Sequence, residues 1–307
     1  EARIGLRLLD RDPAAVIDRA WFDARIGAAL ALRARLYAAP FYRLIHAEAD
    51  GLPGLVIDRF GALVTVQLNS AFADLHRAPL LATLDAVLAP KAVIVRLDSP
   101  ARTLEGLELA EPEVIGAWSG PVPLEENGTR FQCDPLDGQK TGWFYDHRPN
   151  RAFAASLASG KRVLDVFSYI GAFGITAAAA GAAEVLCVDR SQHALDHASA
   201  SAALNGVADR VRTETGDAFS VMESLAQAGD RFDIVVVDPP AFVKSKKDLK
   251  AGLRGYQKMT RLGANLVAEE GILVAASCSH NVDREAFQRE VSLGLSKAGR
   301  SGRILQS

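Results

Sequence analysis

The sequence has few of the features that mark secreted or membrane proteins. Its 307 residues include only three cysteines, and their wide spacing fits neither a disulfide framework nor a zinc site. The apolar runs are shorter than a bilayer span and are broken by charges, so no transmembrane helix is expected. The first residues, EARIGLRLLDRDP, lack the apolar core and cleavage region of a signal peptide. A reducing cytoplasm is therefore the expected setting, with no membrane partner.

The sequence also lacks a large excess of charge of either sign. Its formal net charge is −2, so any contact with nucleic acid must come from a local basic patch. There is no internal repeat and no low-complexity stretch. The length is sufficient for a large core and predicts two domains.

Residues 12–126 predict a small α+β domain. Asp12-Pro13 is typical of a helix start, and this helix is expected to end near Leu36. Turns rich in Gly and Pro then separate runs that predict an antiparallel meander, a further helix and a fourth strand. These segments are Tyr42–Ala47, Leu55–Asp58, Leu63–Leu68, Asp74–Leu88 and Ala92–Leu97. Ile4–Leu9 is a candidate strand of an upstream domain, to which we assign residues 1–11.

From Arg162 onward the chain alternates strand-like and helix-like segments. The predicted strands are Val163–Phe167, Glu184–Asp189, Val211–Glu214, Ile234–Asp238 and Ile272–Ser277. The predicted helices lie near Ala172–Ala180, Gln192–Asn205, Ala218–Ala228, Leu249–Ala268 and Asp283–Ala298. The alternation predicts an α/β fold with a doubly wound, largely parallel sheet and helices on both faces. We assign residues 127–307 to this domain.

Three further segments complete the predicted organisation. A hairpin over Val122–Cys133, with Asn127-Gly128 at its turn, leads into the second domain. A helix at Arg151–Ala158 precedes the first strand of the sheet, and Arg303–Gln306 predicts the start of another strand.

Two polar clusters raise the question of ligand binding. His46, Glu48 and Asp50 are close in sequence, but no second group of ligands supports a metal, so they are expected on the surface of a hairpin. The segment QKTGWFYDHR lies one short helix upstream of the parallel sheet, which places it beside the expected ligand edge. Its residues suited to hold a carboxylate are Lys140, Thr141 and Arg148.

The run VLDVFSYIGAFG, Val163–Gly174, predicts a strand, a tight loop and a helix start, the first half of a nucleotide site. Asp189 ends the next strand, where a carboxylate accepts ribose hydroxyls, and Asp217-Ala218 follows the third, where an adenine amino group is expected. These features fit NAD as well as S-adenosylmethionine. Phe167 and Tyr169 stand where the first two glycines of a dinucleotide loop would be, which weakens the NAD interpretation.

The fourth and fifth predicted strands end in groups suited to catalysis. FDIVVVDPPAF places Asp238 at a strand end, where its carboxylate can bond a planar substrate that contains nitrogen. GILVAASCS delivers Cys278 to the same edge as a candidate nucleophile. Cys187, within VLCVD, is expected to be an inert core residue.

A basic segment, KSKKDLKAGLRGYQKMTR, lies between these two strand ends. Its cations recur every three or four residues and share one face if the segment is helical. They are Lys247, Lys250, Arg254, Lys258 and Arg261. The stripe suits an RNA backbone, and a solvated charged face is the alternative.

QKTGWFYDHR, VLDVFSYIGAFG, FDIVVVDPPAFVKSK and GILVAASCS, in this order and spacing, resemble the bacterial large-subunit rRNA methyltransferase I family. YRLIHAEADGLPGLVIDRFG resembles its central domain. The resemblance implies a class I, Rossmann-like enzyme that uses S-adenosylmethionine to form 5-methylcytosine in 23S rRNA. The family usually begins with a PUA domain, of which residues 1–11 would be a remnant, and it continues beyond Ser307. Ala241 departs from the family's usual Lys.

The resemblance implies that the Cys278 thiolate attacks C6 of cytosine while Asp238 stabilises the developing charge. The base that removes the C5 proton is not identified. We predict cofactor contacts from Lys140, Thr141, Gly142, Asp165, Phe167, Ser168, Tyr169, Gly171, Asp189, Arg190, Asp217, Ala218, Asp238 and Pro239. The predicted RNA contacts are Lys244, Lys247, Lys250, Arg254 and Lys258.

The alternatives are a methyltransferase that acts on a purine nitrogen, guanine N7 or adenine N6, and a non-catalytic RNA-binding relative. The expected partner is 23S rRNA, in the large ribosomal subunit or a precursor, and no metal is expected. A homodimer is left open, as is the nucleotide that is modified.

Overall fold

A computed structural model describes residues 6–136, 138 and 141–307. They form two compact units. The first comprises the described residues up to Glu126 together with Gln132–Asp146, and the second comprises Asn127–Phe131 and His147–Ser307. The domain limits predicted from the sequence, residues 12–126 and 127–307, stay a prediction. Asn127 and Gly128 both have positive φ, the conformation that a two-residue hairpin turn requires.

The first unit is a mixed sheet with helices. Its helices are α1 (Arg19–Leu36), α2 (Ala71–Leu75) and α3 (Arg77–Leu88). Its main strands are β1 (Phe41–His46), β2 (Leu55–Phe60), β3 (Leu63–Leu68), β4 (Ala92–Arg96) and β5 (Glu113–Gly116). They pair in the order in which they occur in the chain. The strands β1, β2 and β3 form the predicted antiparallel meander. The strand β4 pairs parallel with β3 and antiparallel with β5. The strand β5 was not predicted from the sequence. Outside this sheet lie two further strands, β6 (Val122–Glu126) in the first unit and β7 (Thr129–Cys133), of which Thr129–Phe131 is assigned to the second unit.

The predicted start of α1 is wrong. Asp18 caps this helix, because its side chain accepts a hydrogen bond from the Trp21 amide at 3.0 Å. Asp12 only closes a turn, in which its carboxylate accepts from the amide of Ala14 at 2.9 Å. Asp12-Pro13, although typical of a helix start, forms a local turn, and Asp12 lies seven residues before the first residue of α1.

The predicted terminal strands are not seen in the described residues. Residues 6–9 contain no strand, and the beginning of the predicted segment, Ile4, lies outside the described residues. Arg303–Gln306 is also without regular structure. None of the helices in the described ranges has the length and apolar character that a membrane span needs.

The second unit is a doubly wound parallel sheet, as predicted. Its strands are β8 (Arg162–Val166), β9 (Glu184–Asp189), β10 (Val211–Thr215), β11 (Phe232–Val237) and β12 (Val267–Ala275). Its helices are α4 (Arg148–Ser156), α5 (Ala172–Ala179), α6 (Gln192–Leu204), α7 (Ala218–Ala228), α8 (Leu249–Leu266) and α9 (Arg284–Lys297). Among the described residues the strand order is β10-β9-β8-β11-β12, with every pair parallel.

Both faces of this sheet are covered. Leu164 and Val166 on β8 share one apolar cluster with residues of α7 and α8. On the opposite face, α5 approaches β9 so closely that a Cβ on Gly174 would lie 2.7 Å from Cys187 Sγ. The chain reverses its direction of winding between β8 and β11, so the carboxyl ends of these two strands flank the crevice in which such sheets bind ligands.

Candidate active site

The loop after β8 has an unusual backbone. Phe167, Tyr169 and Gly171 have φ of 61°, 52° and 72°, all in the left-handed region. A non-glycine residue held there costs about 1–3 kcal/mol, and such strain is concentrated at functional sites. Phe167 and Tyr169 thus adopt the conformation that glycines supply in a dinucleotide loop, but they also add large side chains. The loop therefore makes the same tight turn as a dinucleotide-binding loop, but its side chains leave less space for a ligand beside the backbone than glycines would.

Asp165 on β8 holds the helix that follows this loop. Its side chain is 1% exposed, and Oδ2 accepts a hydrogen bond from the Gly174 amide at 2.8 Å. Burial raises the pKa of Asp165 to about 7, and the nearby carboxylates of Asp238 and Asp189 act in the same direction. The predicted cofactor residue therefore lies beneath the site and orients the first turn of α5.

Asp189 connects the end of β9 to the same loop. Its Oδ2 accepts from the Tyr169 amide and its Oδ1 from the Ser191 amide, both at 2.9 Å. Each carboxylate oxygen has a second lone pair, so the predicted contact with ribose hydroxyls is compatible with these bonds. The side chain is fixed and partly exposed at the edge of the sheet.

Asp217 begins α7, where it caps the helix. Its Oδ1 accepts from the Ser220 amide at 3.0 Å and from the Ser220 hydroxyl at 3.1 Å. These hydrogen bonds, the amide first, lower the pKa of Asp217. Ala218 is buried behind it, and Arg190 is exposed. The carboxylate is therefore ionised at the edge where the sequence predicts adenine.

Ser168 gives independent evidence for a ligand at this loop. It is 7% exposed, and its amide donates to the Val188 carbonyl at 3.0 Å. Its hydroxyl has no hydrogen-bond partner among the described residues. A buried polar atom without a partner is rare in native proteins, so this hydroxyl is suited to bond a polar ligand group.

Two of the predicted cofactor residues in the QKTGWFYDHR segment, Thr141 and Gly142, are buried. Thr141 is fully buried, and its hydroxyl donates to Asp58 Oδ2 at 2.6 Å. Asp58 is also held by the Arg43 guanidinium through two bonds of 2.8 and 2.9 Å. Gly142 is buried with φ of 96°. Thr141 and Gly142 thus stabilise the first unit, whereas Lys140 lies outside the described residues.

A histidine that was not predicted lies against Asp238. Asp238 follows β11 with 26% of its side chain exposed, and His147 Nε2 is 3.4 Å from Asp238 Oδ2. The Asn150 side-chain nitrogen, which can only donate, is 3.2 Å from His147 Nδ1, an arrangement that favours the tautomer with the ring proton on Nε2, facing Asp238. His147 lies in the QKTGWFYDHR segment, which the sequence analysis placed beside the ligand edge. That placement was the one feature of the sequence that could have indicated a role for this histidine.

Cys278 is exposed at the same edge. Its Sγ is 3.6 Å from the Pro239 carbonyl oxygen, directly after Asp238. Cys133 and Cys187 are fully buried, and burial raises the pKa of both thiols. The structure therefore brings together the predicted catalytic pair, Asp238 and Cys278, and provides one accessible thiol among the three cysteines.

Comparison with known proteins agrees with this arrangement. The model of a family described as S-adenosylmethionine-dependent methyltransferase matches residues 75–292. The ribosomal RNA large subunit methyltransferase I of Escherichia coli O157:H7 is 36% identical over 311 residues, which cover 99% of this chain and 78% of that protein. The chain belongs to this family. The cofactor of the enzyme is S-adenosylmethionine, and neither the NAD interpretation nor a non-catalytic relative is retained.

Solved structures show the same fold. A putative S-adenosylmethionine-dependent methyltransferase from Streptococcus mutans has a TM-score of 0.79 at 23% identity, and the match covers 92% of this chain and 73% of that chain. A putative methyltransferase complexed with S-adenosylhomocysteine has a TM-score of 0.79 at 22% identity, with the same coverage of 92% and 73%. At these identities the likeness supports the Rossmann-like fold and nothing further.

The predicted RNA contacts of this methyltransferase are all exposed. The exposed cations of this basic segment are Lys244, Lys246, Lys247, Lys250, Arg254 and Lys258. Lys258 pairs with Glu223 at 3.1 Å, so part of its charge is compensated, and Arg261 is half-buried. The Asn281 amide donates to the Lys244 carbonyl at 3.4 Å and connects this segment to the chain beyond Cys278.

Proposed function

We propose that this methyltransferase methylates C5 of a cytosine in 23S rRNA. The observation that supports the proposal is the 3.6 Å contact between the exposed Cys278 thiol and the carbonyl of Pro239, the residue that follows Asp238. Methylation of a purine nitrogen needs no nucleophilic thiol. The name of the Escherichia coli relative supports large-subunit rRNA as the substrate.

The donor is held, in this proposal, by the loop Phe167–Gly171 with Asp189, Asp217 and Ala218. When bound, S-adenosylmethionine supplies a methyl group on a positively charged sulfur. Asp189 accepts ribose hydroxyls through its remaining lone pairs, and the Ser168 hydroxyl bonds a polar group of the ligand. The protein contributes the orientation that aims the methyl group at the target base.

Cys278 activates the cytosine. Its thiolate adds to C6, which breaks the C5=C6 double bond and makes C5 a nucleophile. Asp238 bonds N3 and the exocyclic amine and stabilises the charge that develops there. His147 Nε2, 3.4 Å from Asp238 Oδ2, orients this carboxylate toward the base. Once C5 carries the methyl group, loss of the C5 proton restores the double bond and releases the thiolate.

The RNA must present an unstacked base to this edge. Extrusion of a base costs several kcal/mol in a helix and less in a loop or an unpaired strand. The stripe Lys244–Arg254 contacts phosphates beside the target in this proposal, and it acts whether the substrate is naked rRNA or a precursor particle. A cytoplasmic location follows from a ribosomal substrate.

The proposal is tested by incubation of the purified enzyme with methyl-labelled cofactor and 23S rRNA, either naked or in large-subunit particles. Nucleoside analysis and bisulfite mapping are expected to find the label in 5-methylcytidine. Cys278→Ala is expected to abolish transfer, while Cys133→Ala, a control for loss of a thiol, retains it. Label in a methylated purine that persists in Cys278→Ala would contradict the proposal.

A further inference from the structure

The two serines that flank Cys278 are bonded to one buried phenol. Ser277 Oγ donates to the Tyr256 hydroxyl at 2.8 Å, and Ser279 Oγ is 2.6 Å from the same hydroxyl. The Ser279 amide also donates to Ser277 Oγ at 3.3 Å. The backbone on both sides of Cys278 is therefore attached to a single group, although the thiol itself faces solvent.

Tyr256 is a rigid point of attachment. It is fully buried on α8, with ring centroids 4.8 Å from Phe242 and 5.2 Å from Phe287. A phenol hydroxyl can donate one hydrogen bond and accept another, so it can connect two serine hydroxyls. Phenylalanine would fill the same space without making either bond.

The same network reaches the loop that begins at Asp238. Ser279 Oγ accepts a hydrogen bond from the Val243 amide at 3.0 Å, in the interior of the unit. The loop also packs directly on α8, because a Cβ on Gly252 would lie 2.3 Å from Val243 Cγ2 and 2.8 Å from the Phe242 carbonyl oxygen. The Cys278 turn, the Asp238 loop and α8 are thus held as one body.

We propose that Tyr256 is a positioning residue: it holds Cys278 where the thiolate can attack a base that is bonded to Asp238. The inference rests on the proposed function, in which Cys278 attacks the base that Asp238 holds. Covalent attack needs the thiolate and C6 within about 3–3.5 Å in the correct direction, and a misplacement of about 1 Å costs on the order of a hundredfold in rate. Because the Cys278 thiol is exposed, we attribute this accuracy to the bonds that its two flanking serines make to Tyr256.

The test compares Tyr256→Phe with Tyr42→Phe. Tyr42 is also buried, and its hydroxyl accepts from Arg59 at 3.1 Å in the first unit, so the control loses an equivalent group elsewhere. We expect Tyr256→Phe to lower kcat about ten- to a hundredfold, with the Kd for S-adenosylmethionine unchanged. Alkylation of Cys278 by iodoacetamide, followed by mass spectrometry, is expected not to slow, because the thiol is displaced and not buried.

Serine variants keep the proposal testable if Tyr256→Phe does not fold. Ser277→Ala removes one bond to the phenol, whereas Ser277→Thr keeps the hydroxyl, so kcat should fall in the first and be largely retained in the second. In the double variant Tyr256→Phe/Ser277→Ala, the loss should be smaller than the product of the two single losses.

The outcomes separate this inference from the proposed function. A Cys278→Ala enzyme that remains active would overturn the proposed function. If Cys278→Ala is inactive while Tyr256→Phe and Ser277→Ala both keep kcat within twofold of the parent enzyme, Tyr256 only stabilises the fold and the positioning role is wrong.

Discussion

Two parts of the same sheet edge achieve their accuracy in different ways. The donor loop, Phe167–Gly171, depends on backbone conformation, with three left-handed residues and a carboxylate buried beneath it. The reaction edge, Asp238–Val243 with Ser277–Ser279, depends on side-chain hydrogen bonds. Substitutions should therefore act on fold stability at the donor loop and on turnover at the reaction edge.

The largest effect is expected at the reaction edge. Asp238→Asn keeps the shape of the side chain but removes its charge, so kcat should fall about 10²- to 10³-fold with little loss of stability. Asp196→Asn, on the exposed face of α6, is the matched control and should retain activity. Single-turnover kinetics with saturating cofactor measure the effect. A kcat within threefold of the parent enzyme would remove Asp238 from the mechanism.

The donor loop is tested by adding one methyl group. A Cβ on Gly171 would lie 2.9 Å from the Ala198 Cβ, and φ is 72°, so Gly171→Ala should cost about 2–4 kcal/mol of unfolding free energy. Gly206 has a similar φ of 67° and open space around it, so Gly206→Ala should cost only about 1 kcal/mol. Urea denaturation measures both. Equal losses would show that close packing adds nothing at Gly171.

The buried carboxylate under the donor loop predicts a pH effect. Its pKa is raised to about 7, so the folded protein retains the proton while the unfolded chain loses it from about pH 4 upward. The contribution of Asp165 to stability therefore declines as pH rises, by about 2 kcal/mol between pH 5 and 7. Asp165→Asn should be relatively more stable at pH 7 than at pH 5. A stability difference between the two proteins that is independent of pH would contradict this account.

The smallest effect is expected for the basic stripe. Replacement of Lys247, Lys250 and Arg254 by Ala should weaken RNA binding about tenfold and lower the slope of log K against log salt by about 2. Lys161→Ala/Arg231→Ala removes exposed cations at the amino ends of β8 and β11, the opposite edge of the sheet, and should change neither quantity. An unchanged slope in the first variant would leave the stripe as a solvated face.

The sequence predicted the parallel sheet and its ligand edge because both depend on local patterns. Buried strands end in Asp189, Asp238 and, through a short turn, Cys278, and parallel strands place such ends together. The helix start at Asp18 was missed because Asp12-Pro13 has equally favourable local chemistry. Only the fold decides which of two capping signals begins a helix.

Tertiary contacts account for the rest. Tyr256 is an apolar position of a helical segment in the sequence, but its bonds to Ser277 and Ser279 join positions more than twenty residues away. Thr141 matched a motif near the ligand edge, yet its hydroxyl is held by Asp58, which is 83 residues away. Hydrogen bonds between residues so far apart in the chain produce no local sequence pattern from which they could be predicted.

The central claim is that Cys278 bonds covalently to the target cytosine, and 23S rRNA transcribed with 5-fluorocytidine tests it most directly. Fluorine at C5 cannot leave as a proton does, so the thiol remains attached to C6 after methyl transfer. We predict an RNA–protein adduct that needs S-adenosylmethionine, maps to Cys278 by mass spectrometry and is absent in Cys278→Ala. Methylation of unmodified rRNA without any such adduct, or an adduct at another residue, would contradict the account.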